Sequence, residues 1–151
     1  MKSRTLFAAA ALIAIGTGAV IAHSDPIAAR KALMKGNDDG ARVVVAMMRG
    51  TAPYDASKID PVFSQWTETA QKLPGLFPPD SKTGEKTRAS PKIWENKADF
   101  DAKAAEFGKA VADNRDKAKQ SLDGLKAAVA AAGAVGDACD NCHKDYRLSR
   151  R

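Results

Sequence analysis

The positions of the seven prolines constrain the fold of this chain more than any other feature of its sequence. Two of them follow an aspartate, at Asp25-Pro26 and Asp60-Pro61, an order typical of a helix that is capped by aspartate and begins with proline. Between the prolines and beyond them the chain is rich in Ala, Lys, Leu, Asp and Glu, without a run of alternating β-branched residues. Such stretches favour helix over strand, so the sequence predicts an all-α fold.

The spacing of apolar residues predicts four helices. They cover residues 26–48, residues 60–73, a third stretch that begins between 94 and 97, and residues 123–147, with a break at 121–124 before the last. Residues 74–91 hold four prolines and two glycines and are predicted to form one long loop. Four helices with a single long connection predict an antiparallel four-helix bundle. The second helix shows the pattern most clearly, with apolar residues at intervals of three or four: Phe63, Trp66, Ala70 and Leu73.

Residues 1–22 are predicted to be a signal peptide that is absent from the mature protein. Lys2 and Arg4 precede an almost wholly apolar stretch, residues 6–21, which ends in short residues at the spacing of a cleavage site. A transmembrane anchor is the alternative, since the stretch is not far below the length that spans a bilayer. Its richness in Ala and Gly favours cleavage. The mature domain would then cover residues 23–151 and reside in the periplasm.

The net charge of the chain is +6, and it falls to +4 when Lys2 and Arg4 are removed with the signal peptide. Basic and acidic residues are interleaved along the rest of the chain, and no dense basic stripe with aromatic residues is present. This pattern argues against nucleic acid as a partner. A mild positive charge instead favours solubility and attraction to acidic partner surfaces.

The chain has two cysteines, Cys139 and Cys142, and a histidine follows the second one. A disulfide between them would close a very short loop and stabilise little. A structural zinc site needs about four ligands, and the mature chain adds only His143 and His23 to the two thiols. A thioredoxin-like pair requires a βαβ setting, and no strands are predicted.

Cys139, Cys142 and His143 form the C-x-x-C-H signature by which haem c is covalently attached. Two thiols three residues apart lie on nearly the same side of a helix, where each can add to one vinyl group at the porphyrin edge. The histidine then reaches under the ring and gives a nitrogen to the iron. We therefore predict one haem c, with thioether bonds to both cysteines and His143 as the proximal ligand. Gly133 and Gly136, just before the motif, are expected to let the porphyrin or a neighbouring helix approach the backbone.

With this motif near its C-terminus, the chain resembles the class II cytochromes c, the family of cytochrome c′ and its low-spin relatives called cytochrome c-556. Residues 142–147 (Cys-His-Lys-Asp-Tyr-Arg) match the family's ending, and residues 76–79 (Leu-Phe-Pro-Pro) and 93–94 (Ile-Trp) match around the third helix. The likeness covers about residues 25–147. It implies a four-helix bundle with one haem c near the C-terminal helix, in a periplasmic protein.

The resemblance also implies roles for three further residues. Arg30 and Met34 stand four apart in the first helix, as in the low-spin branch, which implies that Met34 is the sixth iron ligand and that Arg30 lies near a haem propionate. A methionine at helical spacing is otherwise often core filling, as we expect for Met47 and Met48. Arg147 matches a basic position of the family, which implies a contact on the proximal side. Its alternative is an exposed cation that the helix dipole favours.

The sixth ligand decides between two functions. If Met34 binds the iron, both axial positions are filled and the protein carries electrons between periplasmic or membrane redox proteins. If it does not, the protein resembles cytochrome c′ and binds nitric oxide or carbon monoxide. His23 is the only rival side-chain ligand. A helical metal-binding or scaffold protein without haem is the third alternative.

The remaining expectations concern activity and assembly. No nucleophile–histidine–carboxylate set is apparent, so the chain is not predicted to be an enzyme. Covalent haem implies the cytochrome c maturation machinery as a partner. Family members pair through their first two helices, so a homodimer is a further expectation from the resemblance.

Overall fold

The computed structural model describes residues 25–84 and 87–149 of the chain. The predicted signal peptide, residues 1–22, lies outside the described residues. No helix in the described part is long and apolar enough to cross a membrane. The helices found there are α1 (Pro26–Met48), α2 (Ile59–Lys72), α3 (Lys92–Glu95), α4 (Lys97–Gln120), α5 (Leu122–Ala130) and α6 (Val135–Tyr146).

The first predicted helix is confirmed over its whole length. The carboxylate of Asp25 accepts a hydrogen bond from the backbone N–H of Ile27 at 2.8 Å. Pro26 occupies the first turn, where the missing N–H costs no helical hydrogen bond. Helix α2 begins at Ile59, one residue before its predicted start, and a 3₁₀ turn over Ala56–Lys58 leads into it.

The prediction of a continuous fourth helix over residues 123–147 is wrong, because the structure divides it into α5 and α6. Gly133 lies between them with φ +73°, in the left-handed region that residues with a side chain rarely adopt. A Cβ on Gly136 would lie 2.6 Å from the carbonyl oxygen of Val129, which real side chains do not tolerate. The two glycines therefore permit a sharp break and a close approach of α6 to the backbone of α5.

The bundle has four arms, formed by α1, α2, α4 and the α5–α6 pair. Helix α2 packs on α1 and α4, and α4 packs in turn on α5 and α6. Apart from one isolated bridge between Ala89 and Arg147, the described residues form no strand pairing. The predicted antiparallel four-helix bundle is confirmed. Its main core consists of the buried side chains of Val44, Met47, Ile59, Val62, Phe63, Trp66, Phe107, Val111, Ala118, Leu125, Ala128 and Val135.

A second apolar cluster lies at the end of the bundle where α4 begins and α6 ends. The ring of Phe100 packs edge-to-face against Phe77 and Tyr146, with centroid distances of 4.8 and 5.3 Å. The indole N–H of Trp94 donates to the carbonyl oxygen of Phe77 at 2.9 Å. The predicted loop, residues 74–91, thus supplies one wall of this cluster. The buried members of the cluster are Leu73, Phe77, Ile93, Phe100 and Tyr146.

Candidate haem-binding site

Helix α6 carries the C-x-x-C-H motif, and the three side chains of the motif are all half-buried. Cys139 packs against the main core, whereas Cys142 packs against the second apolar cluster. The two thiols therefore face the interior from neighbouring turns of one helix. His143 lies beside them in a groove that Arg88 and Arg147 also line.

Both cysteines are free thiols in the structure. Burial raises the pKa of Cys139 to about 11, with smaller contributions from Asp140 and Cys142. Burial also raises the pKa of Cys142. A redox-active cysteine pair needs a lowered pKa, so this environment argues against the thioredoxin-like alternative. The described residues also contain no group of three or more His, Cys, Asp or Glu side chains arranged to hold a metal ion, as a zinc site would require.

The groove around His143 favours its neutral form. Burial lowers the pKa of His143, and the nearby Arg147 and Arg88 lower it as well, against the opposing effect of Asp140. A neutral imidazole keeps one nitrogen lone pair free, and only this form can bind a metal. The surroundings of His143 thus favour the form that a haem iron requires.

Met34 approaches the same region from the first helix. Together with Leu33 it packs, half-buried, against the second apolar cluster, which Cys142 also contacts. Among the described residues, α1 and α6 make little direct contact with each other. The methionine of α1 and the cysteine of α6 therefore reach one apolar region from two different sides.

Arg30, on the second turn of α1, is only 4% exposed. Its guanidinium donates to the carbonyl oxygens of Leu76 and Ser81 at 3.1 and 2.9 Å. It also donates to the hydroxyls of Ser81 and Thr87 at 3.0 and 2.9 Å. The ring centroid of Phe77 lies 4.7 Å away, within cation–π range. The structure thus places Arg30 inside the loop that walls the second cluster, and its contact with a haem propionate stays a prediction.

Arg147 follows α6 in an extended conformation and forms the isolated bridge with Ala89. The next residue, Leu148, donates its N–H to the carbonyl oxygen of Arg88 at 2.8 Å. The guanidinium of Arg88 in turn donates twice to the carbonyl oxygen of Leu148, at 3.0 and 2.8 Å. The structure places the exposed Arg147 beside His143. Its contact with the haem itself stays a prediction.

The pairing of Tyr146 with Asp99 was not predicted from the sequence. The phenol donates to the Asp99 carboxylate at 2.5 Å and ties the end of α6 to the start of α4. Burial, together with this carboxylate, raises the pKa of Tyr146 to about 12, so the phenol stays protonated. In the sequence, the position of Tyr146 on the same helical face as Cys142 and His143 indicates only that its ring lies near the motif. Nothing in the helical pattern identified Asp99 as its acceptor.

These residues fit a covalently bound haem c. Two inward-facing thiols and a half-buried imidazole stand on α6, and the thioether of Met34, on α1, packs against the same apolar cluster as Cys142. The cluster that both contact consists of aliphatic and aromatic side chains, which suit an apolar porphyrin. The donor set and its surroundings therefore agree with the predicted cofactor.

A family model described as Cytochrome C′ matches residues 25–147. The chain belongs to the cytochrome c′ family. A cytochrome c-556 from Rhodopseudomonas palustris is 40% identical over 149 residues, which cover 95% of this chain and 96% of that protein. A cytochrome c′ from the same organism is 37% identical over 141 residues, with 93% and 94% covered. A solved structure of cytochrome c′ from R. palustris aligns with a TM-score of 0.77 at 36% identity, covering 85% of this chain and 99% of that one.

Members of the cytochrome c′ family bind one covalent haem c, and they carry electrons or bind gases rather than act as enzymes. Cytochromes c′ are in general periplasmic proteins. The chain is therefore a haem protein with one of these two roles. The relatives come from both branches of the family at similar identity. The choice between the branches thus depends on the residues around the iron.

Proposed function

We propose that this cytochrome c′ family member is a periplasmic electron carrier whose haem iron is ligated by His143 and Met34. One observation carries the proposal: Met34 and Cys142 pack against the same apolar cluster, although they belong to the first and last helices. Cys142 would attach the haem to α6 through a thioether bond, and the adjacent His143 would give a nitrogen to the iron. Met34 is the one methionine of the described residues that packs at this cluster.

The haem supplies a one-electron iron couple when it is bound, and the protein side chains determine how that couple is used. The thioether of Met34 and the imidazole of His143 would together complete the ligation of the iron, so that it could change oxidation state without exchanging ligands. Thioether ligation also raises the reduction potential relative to two nitrogen ligands. The rings of Phe77 and Phe100 are buried in the second apolar cluster and keep water out of it. Such a site suits transient electron exchange with periplasmic or membrane redox proteins.

Gas binding is the second candidate function, and the position of Leu33 is the observation that favours it. Leu33 packs against the same cluster as its neighbour Met34. If Leu33 faces the iron instead, no protein ligand fills the sixth position, and nitric oxide or carbon monoxide can bind there. The 37% identity to a cytochrome c′ also supports this alternative.

Absorption spectra of the haem-loaded protein, with and without carbon monoxide, distinguish the two functions. We expect the wild-type protein to be low-spin and unresponsive to carbon monoxide, because both axial positions are occupied. Met34→Ala should become high-spin and bind carbon monoxide. Met48→Ala is the matched control, since Met48 is also half-buried on α1 but packs against the main core. It should keep the wild-type spectrum.

A wild-type spectrum that is high-spin and shifts with carbon monoxide would overturn the electron-carrier proposal in favour of gas binding. A Met34→Ala spectrum that stays low-spin would overturn the assignment of Met34 alone, and His23 would then be the side chain to replace next.

We also propose that residues 1–22 direct export and that the cytochrome c maturation machinery then attaches the haem. Both thiols must be free for attachment, and the structure gives them free. We expect the purified haem protein to begin at His23 when the full sequence is produced in a bacterium that exports and matures cytochromes c. N-terminal sequencing checks this. A haem protein that still begins at Met1 would contradict cleavage.

Pairing of two copies through the first two helices stays a prediction.

A further inference from the structure

A groove at the end of α6 gathers three cations around His143. Arg88, Lys144 and Arg147 line it, with Asp140 as the one carboxylate among its lining residues. We call these three cations the basic patch. A second cleft on the other side of α6 differs in charge, because its cations are matched by carboxylates of α3, α4 and α6. Its lining residues are Lys92, Glu95, Asn96, Asp99, Lys103, Asp145 and Tyr146.

The basic patch is held in place by backbone pairing. The chain after α6 runs against the segment before α3, through the bridge between Ala89 and Arg147. Arg88 is fixed at this point, since its guanidinium donates twice to the carbonyl oxygen of Leu148. Because these contacts join two segments far apart in the sequence, the convergence of the three cations is a property of the fold.

The cations of the basic patch are not neutralised by neighbours. Among the described residues, none of Arg88, Lys144 and Arg147 lies within salt-bridge distance of a carboxylate. Many other cations are paired, as Lys35 is with Asp39 four residues on. Unpaired charges of one sign that share a groove produce a local positive potential.

An exposed apolar side chain stands among these charges. Leu148 is 46% exposed and is the one large hydrophobic side chain so exposed in the described residues. Its backbone is fixed by Arg88, so the side chain is presented at a defined place beside the basic patch. An apolar contact within a charged rim is the usual composition of a protein docking surface.

We propose that the basic patch together with Leu148 is the surface on which an acidic redox protein docks to exchange electrons with the haem. This inference rests on the proposed electron-transfer function and names the partner's chemistry: clustered carboxylates around a small apolar area. The surface lies beside His143, the predicted proximal ligand, so a partner bound there is close to the iron. Charge attraction would increase the rate of encounter more than the final affinity.

The test uses charge removal at the basic patch and a matched removal elsewhere. Lys144→Gln with Arg147→Gln removes two exposed charges of the patch and leaves Arg88 in place. Arg49→Gln with Lys58→Gln is the control, because both side chains are exposed near the opposite end of the bundle. Helix α4 runs between the two ends and is about 36 Å long over its 24 residues, well beyond the screening length of about 10 Å at 0.1 M salt.

Two probes accept one electron from the reduced haem protein: hexacyanoferrate(III), a small anion, and an acidic blue-copper protein. At an ionic strength of about 0.1 M we expect the patch variant to react about tenfold more slowly than wild type with either probe, and to lose most of its salt dependence. The control variant should change far less. Leu148→Asn should slow the reaction with the blue-copper protein about fivefold and leave the reaction with hexacyanoferrate(III) unchanged.

Reduction potentials measured for every variant correct the rates for driving force. Equal slowing of the patch and control variants would overturn the proposal, because net charge alone would explain it. A rate loss that disappears after this correction would also overturn the proposal, because the cations would then act by changing the reduction potential of the haem and not by attracting the partner. Both reactions require only a haem that gives up an electron. A failed ligation by Met34, seen in the carbon monoxide spectra, is therefore a separate result.

Discussion

Arg30 carries a positive charge into a part of the protein where no carboxylate of the described residues lies within salt-bridge distance of it. A buried charge is costly unless hydrogen bonds replace the lost water. The backbone carbonyls of Leu76 and Ser81, and the hydroxyls of Ser81 and Thr87, provide that replacement. Burial lowers the pKa of Arg30, yet an arginine remains charged at neutral pH. One side chain thus joins α1 to three residues of the long loop.

We expect Arg30→Met to lower the free energy of unfolding of the haem-loaded protein by about 2–4 kcal/mol. The substitution leaves buried carbonyl and hydroxyl oxygens without their donor. Arg30→Lys should recover part of the loss, because it restores the charge but not the two-pronged geometry. Unfolding by denaturant measures these values.

Arg42→Met is the control for this prediction. Arg42 lies on the same helix but is exposed and pairs with Asp38 four residues away, so its loss should lower the stability much less than the loss of Arg30. Equal losses for the Arg30 and Arg42 variants would show that the contacts of Arg30 with the loop contribute nothing special.

The sequence predicts Cys139, Cys142 and His143 well and the surroundings of Arg30 poorly, for a physical reason. The three motif residues carry their chemistry in their spacing along one helix, which is a local property. The acceptors of Arg30 lie in residues 74–91, where no helical or strand period shows which atoms face inward. Only the tertiary structure shows that this loop folds over the guanidinium.

At the scale of secondary-structure elements, Asp60 links helix α2 to helix α4. Its carboxylate accepts hydrogen bonds from Arg115 at 2.9 Å and from Lys119 at 2.7 Å, both on α4. The hydrogen bond from Lys119, followed by that from Arg115, lowers the pKa of Asp60 from its ordinary value of 3.8. The contact is partly exposed, so salt screens it.

A lowered pKa gives this contact a defined pH dependence. The unfolded chain binds a proton at Asp60 more readily than the folded one, so the contact stabilises fully above pH 3.8. That stabilisation is lost as the pH falls below this value and through the folded pKa. Asp60→Asn should therefore reduce the slope of stability against pH in this acid range, as measured by denaturant unfolding at a series of pH values.

Asp113→Asn is the matched control, since Asp113 pairs with Lys109 within α4 and joins no two helices. An acid slope that is the same in wild type and in Asp60→Asn would show that this carboxylate does not link folding to pH.

The wrong prediction of a continuous fourth helix shows that a helical sequence pattern is not enough to locate a break within a helix. Residues 126–132 read Lys-Ala-Ala-Val-Ala-Ala-Ala, which is a strong helix-forming run, and the sequence therefore predicts continuity. The break depends on the positive φ of Gly133 and on the contact of Gly136 with the carbonyl oxygen of Val129. Glycine at these positions permits a break but does not require one. Whether the helix breaks here therefore depends on the packing of α6 on α4 and α5.

At the scale of the whole molecule, the two apolar clusters differ in the role that we propose for them: the main core holds the four arms together, and the second cluster lines the proposed haem site. The main core joins all four arms and follows from helical periodicity, so the sequence predicts it. The second cluster draws on loop residues such as Leu76 and Phe77, and the sequence does not show that they meet Met34 and Cys142. Only the family resemblance implies that Met34 and Cys142 belong to one site. The structure adds that Met34 of α1 and Cys142 of α6 pack against this same cluster.

The central claim is that the iron has one sulfur ligand, from Met34. X-ray absorption at the iron edge of the oxidised, haem-loaded protein counts the atoms bound to the iron directly. The account predicts four porphyrin nitrogens, one histidine nitrogen and one sulfur in the wild-type protein. The sulfur should be absent in Met34→Ala and present in Met48→Ala. An iron without sulfur in the wild-type protein, or a sulfur that persists in Met34→Ala, would contradict it.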